Sequence, residues 1–278
     1  MLWFKIIFVF VTSFFINLSS LSYVQAQNTD FEQARLLNIT PVSLQNPETG
    51  EFFEALLVTH LEFNYTGAHE QGLILSMGAY ELPAPYDHTF FEEFASWYSF
   101  IADYLYKQPQ AVVIVPDSAF NGSLRAGAIE ACAFYLTTSS NLMIQKLGVV
   151  SGSLGSRGGL YFIEHPERYP SLAKVLMVDF ASPREFALED LKEENIATIE
   201  TPFGIYVGVE TVDRQSNQDA HALYDAVALY NPGLPQRLKE YTDGRHGFYK
   251  IYKDNAVGQD GEAAREDSYY FFQRACER

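Results

Sequence analysis

The chain has 278 residues, 47 % of them hydrophobic, with 35 acidic residues against 19 basic ones. A formal charge of −16 excludes a surface built for nucleic acid or anionic lipid, both of which repel it. No Cys/His cluster at zinc spacing, no Gly-rich phosphate loop and no calcium loop occurs, so neither a metal nor a nucleotide cofactor is expected.

At the N-terminus, Lys5 precedes the apolar stretch Ile6 to Ile16, and Val24-Gln25-Ala26 offers a small-residue exit. This is the plan of a secretory signal peptide over 1–26, cleaved before Gln27. The apolar stretch is short for a membrane span, and an uncleaved N-terminal anchor is the alternative. No later segment is apolar and long enough to span a bilayer. Residues 27–278 then carry 18 basic and 35 acidic residues, a charge of −17, and have the length of one α/β domain. The expected location is secreted or periplasmic. The oligomeric state is open.

Past the leader, apolar runs alternate with amphipathic ones, without a linker or repeat. Strands are predicted at Leu36–Val42, Phe52–Phe63, Gly72–Met77, Ala111–Val115, Leu147–Val150, Ala173–Val178, Pro202–Val209 and Gln236–Tyr241. The middle ones are continuous Val/Ile/Leu runs, as parallel strands buried on both faces require. Helices are predicted at His88–Tyr106, Ser123–Thr138, Leu154–Glu164, Glu185–Glu194, Asn217–Tyr230 and Gly261–Cys276. The turn signal Asn46-Pro47-Glu48-Thr49-Gly50 joins the first two strands directly. The pattern predicts a single-domain α/β fold on an eight-stranded, mostly parallel, doubly wound sheet. Aromatic residues Phe90, Phe94, Trp97, Tyr98, Phe100 and Tyr104 recur at helical spacing and are read as core and interface, with an acyl or aromatic pocket as the alternative. Cys132, on the helix after the fourth strand, and Cys276, on the last helix, are expected on opposite faces of the sheet. They are read as two buried free thiols, with a disulfide as the alternative.

The chemistry concentrates at Leu147-Gly148-Val149-Val150-Ser151-Gly152-Ser153-Leu154-Gly155, where a buried strand breaks into a tight turn around a serine and opens a helix. A serine hydroxyl needs a base to take its proton and donors to hold the oxyanion that forms. The turn presents Ser153 as nucleophile and aims the Leu154 N–H at the reacting oxygen. Of six histidines, His246 follows a strand in the Gly-flanked loop Gly244-Arg245-His246-Gly247 and is the candidate base. His60, His69, His88, His165 and His221 are read as surface or packing residues. The acid that orients the imidazole is Glu210, the first carboxylate after the strand Ile205 to Val209, or Asp213 three residues on. Asp179, placed by this reading at the end of the sixth strand, is a third option. Arg157, one turn into the helix after Ser153, is read as bridging to a local carboxylate rather than meeting an anionic substrate group.

Serine, acid and histidine in that chain order resemble the α/β-hydrolase superfamily. Ser151-Gly152-Ser153-Leu154-Gly155 is similar to its Gly-x-Ser-x-Gly, with Ser151 in place of the first glycine. Val115-Pro116-Asp117 to Gly122-Ser123 is similar to the stretch after the family's fourth strand. Ile74-Leu75-Ser76-Met77-Gly78-Ala79 lies where the family carries His-Gly, with Met77 in place of the histidine. The resemblance implies the Ala79 N–H, or that of Tyr80, as second oxyanion donor. It also makes His165, in Glu164-His165-Pro166, structural. Gly208-Val209-Glu210 with Asn217-Gln218 resembles the esterase branch that includes enterochelin esterases, which favours Glu210; a dienelactone-hydrolase-like branch is the alternative.

The implied function is an exported serine hydrolase acting on a small-molecule carboxylic ester through an acyl-enzyme, without a cofactor. Peptidase, thioesterase and acyltransferase activities share the same site. A ligand- or partner-binding protein that has lost catalysis is the alternative, motivated by Ser151 and Met77. Only about twenty residues separate Asp179 from Thr201, too few for a large lid, which favours a small soluble or aromatic ester.

Overall fold

The computed structural model describes residues 36–63, 71–76, 101, 104–116, 122–139, 141–142, 144–170, 175–184, 186–187, 189–208 and 214–241. Eight strands form one sheet: β1 (Leu37–Gln45), β2 (Phe52–His60), β3 (Gln71–Ser76), β4 (Val112–Pro116), β5 (Lys146–Gly152), β6 (Val175–Ala181), β7 (Phe203–Gly208) and β8 (Gln236–Tyr241). Their order is β1-β2-β4-β3-β5-β6-β7-β8. The β1–β2 and β2–β4 pairs are antiparallel, and all pairs from β4 to β8 are parallel.

Helices among the described residues include α1 (Gly122–Thr138), α2 (Gly155–Glu164), the single turn α3 (Glu193–Ile196) and α4 (Arg214–Tyr230). Ile129, Cys132 and Leu136 of α1, Leu160 and Ile163 of α2, and Leu223 and Val227 of α4 join one buried cluster with Ile74, Ile114, Val149, Val178 and Ile205. Side chains alternate along a strand, so Leu73, Leu75, Val113, Val115 and Val150 face the other way, and they are buried as well. Burial on both faces is why these strands read as unbroken apolar runs.

The β1–β2 turn is pinned at both ends. The Asn46 N–H donates to Glu51 O, the Gly50 N–H to Asn46 O, and Asn46 Nδ2 donates to Leu124 O on α1. Gly50 has a φ of 73°, which a glycine adopts without steric cost.

Two expectations are corrected. The helix predicted over Glu185–Glu194 is mostly loop, with helix only at Glu193–Ile196. The Ala187 N–H donates to the Asp190 carboxylate at 2.7 Å, a side-chain bond that competes with the helical ladder. The sixth strand runs from Val175 to Ala181, so Asp179 lies inside it rather than at its end. Its neighbours Val178 and Phe180 carry the strand past the carboxylate. Cys132 is a free, fully buried thiol, and burial pushes its ionisation up. The leader 1–26, most of the predicted helix at 88–106, and the last helix with Cys276 lie outside the described residues.

Candidate active site

β5 ends at Gly152, and the next residue, Ser153, takes a φ of 52°. A non-glycine residue held in this left-handed region costs about 1–3 kcal/mol and persists only where its surroundings impose it. Here they do. The Ser153 N–H donates to Ala181 O at the end of β6 at 2.9 Å, and Ser153 O accepts the Ser156 N–H at 3.1 Å. Leu154 is already right-handed, with φ −61° and ψ −22°, and caps α2. The first N–H groups of a helix have no intrahelical acceptor, so the positive end of α2 meets the chain at Ser153. The strand–serine–helix geometry expected from the sequence is therefore present.

Ser151 occupies the place of the usual glycine, and α2 accommodates it. A Cβ on Gly159 would lie 2.8 Å from Ser151 Cβ, closer than real side chains approach. Glycine at 159 makes room for serine at 151. The Ser151 carbonyl accepts a hydrogen bond from Ser156 Oγ at 3.0 Å, which ties the strand end to the first turn of α2.

Asp179 is fully buried and sits level with Val150 of β5 and Gly204 of β7. Neither carboxylate oxygen has a hydrogen bond among the described residues, and burial holds its pKa well above the ordinary range against the pull of Arg237. Arg237 is at the same register level on β8, across Gly204. Arg157 is bridged to Asp190 at 3.2 Å, as read from the sequence. Glu164, at the end of α2, is pushed up to about 8, first by burial and then by the charge of Asp190.

The histidines read as packing or surface residues behave so where they are described. His60 is buried, and His165 packs on Tyr161 with ring centroids 4.3 Å apart and the planes tilted by 55°. His221 Nε2 meets Glu240 Oε1 at 2.9 Å on an exposed surface, and that bond holds the Glu240 carboxyl below its ordinary range. His246, Glu210, Asp213, Met77, Ala79 and Tyr80 lie outside the described residues. Among the described residues, no group of three or more His, Cys, Asp or Glu is placed to hold a metal ion. No helix there is long and apolar enough to cross a membrane. The open groove lined by Pro166, Tyr169, Pro170, Val175 and Pro202 lies at the starts of β6 and β7, the opposite end from Ser153.

Sequence reasoning missed a second left-handed serine. Ser182 directly follows β6 and has a φ of 47°. Its N–H donates to Tyr206 O at 2.7 Å, and its carbonyl accepts from Ser216 Oγ at 3.3 Å. No sequence signal assigns positive φ to a serine.

The chain has the α/β-hydrolase fold: an eight-stranded, mostly parallel sheet with a left-handed serine between β5 and the following helix. A dienelactone hydrolase from Anabaena variabilis superposes with a TM-score of 0.57 at 14 % identity, over 86 % of this chain and 98 % of that one. A fungal esterase from Rhizomucor miehei gives 0.62 at 12 % identity, over 87 % and 84 %. Dipeptidyl peptidase 4 from Porphyromonas gingivalis gives 0.61 at 12 % identity, over 86 % of this chain but 36 % of that one. No family model and no curated protein sequence matches the chain.

Proposed function

We propose that the protein is a serine hydrolase that cleaves a carboxylic ester through an acyl-enzyme. The observation that carries this reading is Ser153, held at φ 52° between the end of β5 and the start of α2. Strain of that kind on a non-glycine residue clusters at active sites. In this reading Ser153 attacks the ester carbonyl while His246 takes its proton. The C–O bond then breaks, and the alcohol leaves with that proton. Water, deprotonated by the same imidazole, releases the acid and regenerates the serine. Glu210 or Asp213 orients the imidazole, with Asp179 as third option, and the Leu154 and Ala79 N–H groups hold the oxyanion. The dienelactone hydrolase and esterase of like fold support ester cleavage. The peptidase shows that the same sheet also serves peptide bonds, so the bond cleaved is set by pocket contacts beyond the fold. The leader adds export to the reading.

A panel of nitrophenyl esters, thioesters and peptide anilides assigns the bond. On the best of them, Ser153→Ala is expected to lower kcat by about 10³-fold or more while the protein stays folded. Turnover close to wild type in the folded variant would falsify the reading.

A further inference from the structure

The two left-handed serines are neighbours. Ser153 follows β5, Ser182 follows β6, and the hydrogen bond from the Ser153 N–H to Ala181 O joins the two turns one residue before Ser182. Ser182 precedes Pro183, and a residue before proline is disfavoured from right-handed helical backbone and settles by default in extended conformation. Its positive φ is therefore imposed from outside. Partners that hold it there include Tyr206 O of β7, which accepts the Ser182 N–H, and Ser216 Oγ, which donates to Ser182 O. Ser216 is fully buried in the first turn of α4, and its Oγ accepts Arg184 Nε–H at 3.2 Å. A relay thus runs from Arg184 through Ser216 to Ser182. It bends the chain leaving β6 back onto α4, which begins one residue after the candidate acid Asp213.

We propose that Ser216 and Arg184 are positioning residues for the acyl-transfer site. The relay holds the end of β6, and through Ala181 O the strained backbone of Ser153, against the helix that follows the acid. This rests on the hydrolase reading above. Ser216 touches no reacting atom. It acts by fixing where Ala181 O presents itself to the nucleophile turn.

The test compares Ser216→Ala, Ser216→Thr and Ser216→Val in the full mature chain. Thr keeps the hydroxyl, whereas Val has the same shape without it, so overpacking by the added methyl is common to both. The readouts are the labelling rate of Ser153 by a fluorophosphonate and turnover of nitrophenyl acetate, well below each variant's Tm. Ser216→Ala and Ser216→Val are expected to lose about tenfold in labelling rate and kcat with KM unchanged, because small misplacements of reacting groups cost about that much or more. Ser216→Thr is expected to recover most of the loss. If the alanine variant does not fold, Arg184→Met, which removes the donor from a half-buried loop, is expected to lose kcat in the same sense. Equal rates in wild type, Thr, Val and Met variants would overturn the relay while leaving the hydrolase reading intact. A folded wild type whose Ser153 does not label would overturn both.

Discussion

Ser153 and Ser182 are the only non-glycine residues of positive φ among the described residues, and they follow the C-terminal ends of the neighbouring parallel strands β5 and β6. Conformational strain offers a direct check on Ser153. Glycine pays no Cβ penalty there, so Ser153→Gly is expected to raise stability by about 1 kcal/mol while abolishing turnover, measured by urea unfolding and ester assay. Gly159 makes a second case. Its missing Cβ leaves room for Ser151, so Gly159→Ala is expected to cost about 1–3 kcal/mol through overpacking. Adding Ser151→Gly removes the obstructing side chain and is expected to recover most of that loss in thermal melts. Independent, additive effects of the two substitutions would contradict the pairing. Ser151 was legible in the sequence as a departure from the usual glycine. Its compensation was not, because Gly159, eight residues on and in the second turn of α2, becomes a neighbour only once the helix folds back on the strand.

At the scale of elements, the sequence discloses the sheet well, since strands buried on both faces must be apolar at every position. The exception explains the error at β6. Asp179 interrupts the run, so the strand reads as ending there, whereas Ala181 is its last residue and its carbonyl accepts the Ser153 N–H. The stretch Glu185 to Glu194 reads as a helix, but among its described residues only the last two are helical. Instead Asp190 binds the Ala187 N–H and Arg157, which holds the segment as a loop against α2. Beneath it lies Glu164, raised from an ordinary 4.5 to about 8, mainly by burial. An acid whose folded pKa is raised stabilises fully below its unfolded pKa. That stability is lost as pH rises to the folded value, because the unfolded chain releases its proton first. Stability is therefore expected to fall between about pH 4.5 and 8, and Glu164→Gln to flatten that slope in urea titrations at several pH values. An unchanged slope would show that Glu164 ionises freely in the folded protein.

For the molecule as a whole, the α/β-hydrolase fold is shared with the solved hydrolase and esterase it superposes on. In the sequence, both the chain order of the candidate residues and the motif around Ser153 resemble that superfamily. The candidate serine, acid and histidine, at 153, 210 or 213, and 246, follow β5, β7 and β8 in the sequence. The leader is a separate claim. Expression in an exporting host is expected to yield a chain beginning at Gln27, read by intact mass; retention of residues 1–26 on the membrane fraction would favour the anchor instead. The acyl-transfer mechanism is tested most directly by incubating the folded mature chain with a fluorophosphonate and mapping the adduct by mass spectrometry. From that mechanism, a single adduct on Ser153 that is lost in His246→Ala is expected. A folded chain that acquires no adduct on Ser153 would contradict it and leave a ligand-binding protein on a hydrolase scaffold.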